Sequence, residues 1–126
     1  MKRKWIIPIL ILAVITAVYL CMLLSTNPVV KTVEDVYCGR ISADDDSPIR
    51  MYDLSSRYSD IAHAEMNITR LFVLHNWRHG FMYVIYSCEY TDENNKVLNA
   101  SCSIISRWEI EKRDGEWTVI DIEEKP

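Results

Sequence analysis

His75 and His79 stand four residues apart, a spacing that on a helix would present two imidazoles to one metal ion. Asn76 and Gly80 argue for a turn there, and no third ligand lies nearby. The pair therefore reads as two loop histidines, and no metal or other cofactor is expected. Asp44, Asp45 and Asp46 gather hard oxygens of the kind calcium takes, yet they lack the alternating spacing and distal glutamate of a calcium loop. A solvated acidic loop is the expectation. Nucleophilic catalysis needs a serine or cysteine beside a base; no G-x-S-x-G elbow occurs, and His63 has no such partner in view. Glu109 and Glu111 alternate along a strand that leads into a hairpin and should face water. No coherent catalytic set emerges, and an enzyme is not expected.

Four cysteines occur, with no C-x-x-C pair among them, so neither thiol–disulfide exchange nor a zinc cluster is indicated. Cys88 and Cys102 fall on neighbouring predicted strands, where register decides whether they meet. A three-residue loop, Asn94-Asn95-Lys96, sets Cys88 opposite Cys102. A two-residue Asn94-Asn95 loop sets it opposite Ser101 and turns Cys102 to the other face. The first is preferred, and a bridge there would close a loop of about 15 residues and add about 3 kcal/mol. Cys38 is left over, either buried at a helix end or free for an intermolecular bridge. Asn67 and Asn99 begin glycosylation sequons, of use only in a eukaryotic host. Trp77 and Arg78, in a turn that should be exposed, are the candidate contacts for a partner.

The elements that must position these residues divide the chain unevenly. Residues 5–24 are 20 consecutive residues without a charge, about 30 Å of helix and one bilayer core. Lys2, Arg3 and Lys4 precede this run, whereas Lys31 is the first charge after it, so residues 1–4 are expected in the cytoplasm and residues 25–126 outside. The run exceeds a signal peptide's apolar stretch of about 7 to 15 residues, and no A-x-A-like cleavage site follows it. A retained single-pass anchor is therefore preferred over a cleaved signal. Residues 18–21, Val-Tyr-Leu-Cys, resemble a lipobox, but Tyr19 and Leu20 are bulky, and Cys21 reads better as a small hydrophobe in lipid.

Beyond the anchor, 11 basic and 18 acidic residues give a net charge of −7, which argues against nucleic acid as a partner. Residues 29–37 predict a short helix with Val29, Val33, Val36 and Tyr37 along one side, stopped by Gly39. Residues 41–48 predict a loop, and residues 52–63 a second short helix with Asp53 as N-cap. Strands follow at 67–75, 81–90, 97–110 and 116–122, the last pair joined at Asp114-Gly115. Helices first and a four-stranded antiparallel meander afterwards define an α+β domain.

The ending from Trp108-Glu109-Ile110 through Asp114-Gly115 to Trp117-Thr118-Val119 resembles the terminal hairpin of small bacterial exported domains in the nuclear-transport-factor-2-like superfamily, cone-shaped relatives of the cystatin-like folds. The likeness covers mainly residues 68–124. It implies a cone, here abbreviated because residues 28–66 are short for the usual helical region. Isomerases of that group place an acid and a tyrosine inside the cone; Tyr83 and Tyr86 are the tyrosines available, but they point to opposite faces of one strand, and no acid is assigned to either. The resemblance also implies scaffold roles in conjugation or secretion channels. The expected function is a single-pass, membrane-anchored extracytoplasmic module that binds an envelope protein without catalysis. The alternative is a small-ligand or isomerase-like domain using the concave side of the sheet.

Overall fold

A computed structural model describes residues 2–44, 46–53, 58 and 60–124. Helix α1, Lys2–Ser25, takes in the whole apolar run, with Pro8 close enough to its start for the missing N–H to cost little. Its apolar stretch is long enough to cross a membrane and is exposed from Arg3 to Val18. Helix α2, Asn27–Tyr37, follows after a bend at Thr26. The bend has a cause in the sequence: Pro28 has no N–H to offer the Leu24 carbonyl, so the helical ladder is interrupted there.

α2 buries the predicted stripe of Val29, Val33, Val36 and Tyr37. Gly39 ends it as expected, at φ 76°, a conformation in which a side chain would be strained. A 3₁₀ turn, Pro48–Tyr52, comes next, earlier than the second helix expected at 52–63. Asp53 closes that turn instead of capping a helix, and the first strand has already begun at His63. Residues 54–57 and 59 of the expected helix lie outside the described residues.

Four strands, β1 His63–His75, β2 His79–Thr91, β3 Val97–Arg113 and β4 Glu116–Glu124, form one antiparallel sheet in the order β1-β2-β3-β4. The class is α+β, as the element order implied. One face of the sheet is covered: Val73, Met82, Val84, Trp108 and Ile110 are fully buried in a core shared with Val29, Val33 and Tyr37 of α2. At about 1.5–3 kcal/mol for each large apolar side chain taken out of water, this contact is the main force holding α2 on the sheet.

Register settles the cysteines against the preferred expectation. The β2–β3 turn is built on Asp92, whose Oδ1 accepts from the backbone N–H groups of Asn94 and Lys96, so the loop spans five residues. The bulge at Tyr90/Thr91 then shifts the count by one and pairs Cys88 with Ser101. Cys88 is buried beneath the helices, whereas Cys102 is exposed on the opposite face beside the Ser87 hydroxyl. The Cys88–Cys102 disulfide is absent, and all four thiols are free.

Candidate functional site

The region with the densest polar chemistry is the junction between α1 and edge strand β1. At the bend the Leu23 carbonyl accepts from the Thr26 N–H and Oγ1 and the Met22 carbonyl from Ser25 Oγ, and β1 adds further donors to both. Arg70 donates from Nη1 to the Leu23 carbonyl at 2.6 Å and to Thr26 Oγ1 at 3.0 Å. A guanidinium there also faces the negative end of the helix dipole. Burial holds the Arg70 pKa below its ordinary value, with the Tyr19 phenol acting the other way.

His75 makes the second connection. Its Nδ1 accepts from the Trp77 backbone N–H at 3.1 Å, which leaves Nε2 to carry the proton toward the Met22 carbonyl at 3.3 Å and Ser25 Oγ at 3.0 Å. Trp77 stands edge-on to the ring at a centroid distance of 4.7 Å, and Trp117 lies at 4.5 Å. Burial pushes the His75 pKa down; the hydrogen bond to the Met22 carbonyl opposes this and nearby Lys112 adds to it. Tyr19, within the apolar run, closes the junction by accepting the Val73 N–H at 3.3 Å. One backbone donor on the open side of β1, the Val73 N–H, is thereby satisfied by the helix.

Close packing at the hairpin end makes this possible. The turn is three residues long, with Asn76 Oδ1 accepting from the N–H groups of Arg78 and His79. Gly80 pairs with His75, and a Cβ there would lie 2.3 Å from the His75 Cβ. Trp77 holds φ 71°, a left-handed conformation that costs a non-glycine residue roughly 1 kcal/mol.

A second polar cluster lies between the 3₁₀ turn and the covered face of the sheet. The Tyr52 and Tyr86 hydroxyls both donate to Glu124 Oε1, at 2.7 and 2.6 Å. Trp108 Nε1 donates to Tyr52 Oη at 2.9 Å, with Ser106 Oγ at 3.3 Å. Burial, and after it the Glu124 carboxylate, raises the Tyr86 pKa; burial likewise raises that of Tyr52, so both phenols stay protonated. Here is the acid beside a tyrosine that could not be assigned from the sequence. Its geometry is that of a staple, with both phenol protons given to one carboxylate oxygen.

Tyr83 and Tyr86 do face opposite sides, Tyr83 exposed and Tyr86 buried. His75 and His79 are separated: His79 bonds Glu111 at 2.9 Å, and Arg113 joins the same carboxyl at 2.7 Å. Arg113 above all, and His79 after it, hold the Glu111 carboxyl below its usual range. Among the described residues no three His, Cys, Asp or Glu side chains are grouped to hold a metal. Trp77 and Arg78 are exposed at the turn tip, Cys38 is half-buried with its thiol toward the Ala64 carbonyl at 3.5 Å, and Asn67 is exposed on β1. Where β4 ends, a recess of about 700 Å³ opens, lined among others by Ser103, Ile104, Arg107, Glu123 and Glu124. Comparison with family models, with curated proteins and with solved structures finds no match to this chain.

Proposed function

We propose that the protein is a single-pass, membrane-anchored extracytoplasmic domain that presents a rigidly held sheet to an envelope protein, without chemistry of its own. The observation that carries this reading is the anchor–sheet junction. A helix apolar on every side and exposed from Arg3 to Val18 calls for lipid, and Arg70, His75 and Tyr19 fix its last turns to β1. Anchoring of that kind sets the orientation of the sheet relative to the membrane, which a flexible tether would not. The order of helices, meander and tryptophan-bearing final hairpin also supports placing the domain as an abbreviated relative of the cone-shaped superfamily.

The recess at the end of β4 supports a second reading, small-ligand binding. Its walls come from both faces of the sheet, with Ile104 on one and Tyr83 of β2 and Ile105 of β3 on the other, so it is a groove at the sheet edge and not an enclosed cone. A groove of that form suits a peptide or loop of a partner better than a buried small substrate.

Membrane extraction at alkaline pH combined with protease digestion of intact cells tests the first reading. A chain that stays in the pellet and loses its C-terminal domain to external protease supports it. Release into the supernatant, or protection until the cells are lysed, would contradict it.

A further inference from the structure

The exposed side of edge strand β1 carries more apolar surface than a free-standing sheet tolerates. Leu71, Phe72, Leu74 and Trp77 are each between 42% and 53% exposed. Leu71 is the bulged residue of the strand, which re-aims it away from the ladder. Phe72 continues into Phe81 at a ring-centroid distance of 6.1 Å and Phe81 into Tyr83 at 5.7 Å. Toward the helix the same series ends on Tyr19, 6.2 Å from Phe72. β3 supplies a polar rim, with the Arg107 guanidinium 5.1 Å from the Phe81 ring centre and Glu109 paired with Phe81.

Tyr19 fixes the depth of this patch. It lies five residues before Leu24, the last of the uncharged run, so about 7.5 Å inside its end. Its hydroxyl is bonded to the Val73 N–H, which brings the edge of β1 within one side chain of that level. With the uncharged run taken as the hydrocarbon core, that level is just inside the core and the polar interface, about 5–7 Å deep, begins above it, so the edge strand stands at the outer boundary of the core. Trp77 is placed at that boundary through His75, which is bonded to Met22 and Ser25 on either side of Leu24. Aromatic side chains with one apolar and one polar end favour that layer, and a tryptophan held there compensates for a strained backbone.

Building on the anchored reading, we infer that β1 is a second membrane contact: Leu71, Phe72, Leu74 and Trp77 sit at the outer boundary between hydrocarbon and headgroups beside α1, so that the sheet lies edge-down on the lipid. The occupant of the patch is the bilayer that holds α1, and Trp77 serves lipid instead of a protein partner. With the outer domain at a net charge of −7, attraction to anionic lipid is not what holds it; apolar partitioning is.

The test uses the full chain in phosphatidylcholine vesicles containing a phosphatidylcholine with a diazirine close to its headgroup. After irradiation, lipid adducts are located by mass spectrometry. Adducts at 71–74 and 77, in addition to α1, are expected. In the variant carrying Phe72→Glu and Leu74→Glu, both at exposed positions, the strand adducts should fall roughly tenfold or more while flotation and α1 adducts persist. A chain that floats with adducts confined to α1 overturns the inference, as does a patch whose crosslinks are to a second copy of the chain. A chain that does not float overturns the anchored reading, and this one with it.

Discussion

His75 carries a pH dependence whose sign follows from its surroundings. In the fold its Nδ1 must accept from Trp77, so protonation sets two N–H donors against each other, and burial already disfavours the charged ring. The folded state therefore binds the proton less well than the unfolded chain. Stability is fully present above the unfolded pKa of about 6.5 and is lost as pH falls through the lower folded value. Thermal melting of the wild type at about pH 7.5 and pH 5 should show a larger drop than His75→Gln, which has a fixed amide in place of the ring; equal drops would exclude His75 as the cause. At the other polar cluster, Glu124→Ala strands two phenols and should cost about 2–4 kcal/mol, whereas Tyr86→Phe removes one donor and should cost about 1 kcal/mol. Chemical denaturation decides between them, and equal losses would mean that the carboxylate is not the hub. Little of this was legible in the sequence. Glu124 lies 38 residues from Tyr86, and only the meander pairs the end of β4 with Ser106 on β3, across which Glu124 reaches the Tyr86 hydroxyl on β2. His75 was visible as a loop histidine next to Asn76, but its burial depends on which face the last residue of β1 presents.

At the scale of the element, the punctuation was legible and the register was not. Gly39 ended α2, and Asp114 and Gly115, both at positive φ, made the β3–β4 hairpin, because each conformation has a residue type that favours it. The valine stripe of α2 was equally plain. Cys88 and Cys102 were misplaced because Asp92 starts its turn earlier than the asparagines suggested, and because bulges leave no local signature in side-chain type. The 3₁₀ turn escaped notice for a related reason, since Pro48 was read as the end of a loop and it opens the turn. Gly80 offers a direct check on the β1–β2 hairpin. A methyl group there meets the His75 side chain and the Leu74 carbonyl, and the carbonyl is backbone that cannot step aside. Gly80→Ala should destabilise by about 1–3 kcal/mol and loosen the junction with α1. Amide hydrogen exchange at Val73, whose N–H goes to Tyr19, would report the loosening; unchanged protection there would argue that the junction does not depend on the hairpin.

For the whole molecule, the uneven distribution of charge was the most informative feature of the sequence, and the fold adds how the two halves are joined. An apolar helix and an acidic α+β domain could have been connected by a free linker. Instead Pro28 bends the helix, and Arg70 and His75 on β1 bond the Leu23 and Met22 carbonyls beside the bend. Replacing Arg70 with Met keeps most of the stem but not the donors, and should cost about 1.5–3 kcal/mol through the lost charged hydrogen bonds. The loss should appear as a lower unfolding midpoint of the intact chain in detergent, and an unchanged midpoint would remove Arg70 from the junction. The placement of the domain outside the membrane has a sharper probe in Cys102, a free thiol exposed on the sheet far along β3 from the helix junction. Intact cells treated with a membrane-impermeant maleimide should yield the adduct on Cys102 in protein recovered from the membrane fraction, with Cys21 unmodified inside the lipid. Labelling of Cys102 only after the cells are permeabilised, or recovery of the labelled chain in the soluble fraction, would contradict an anchored domain on the outer face.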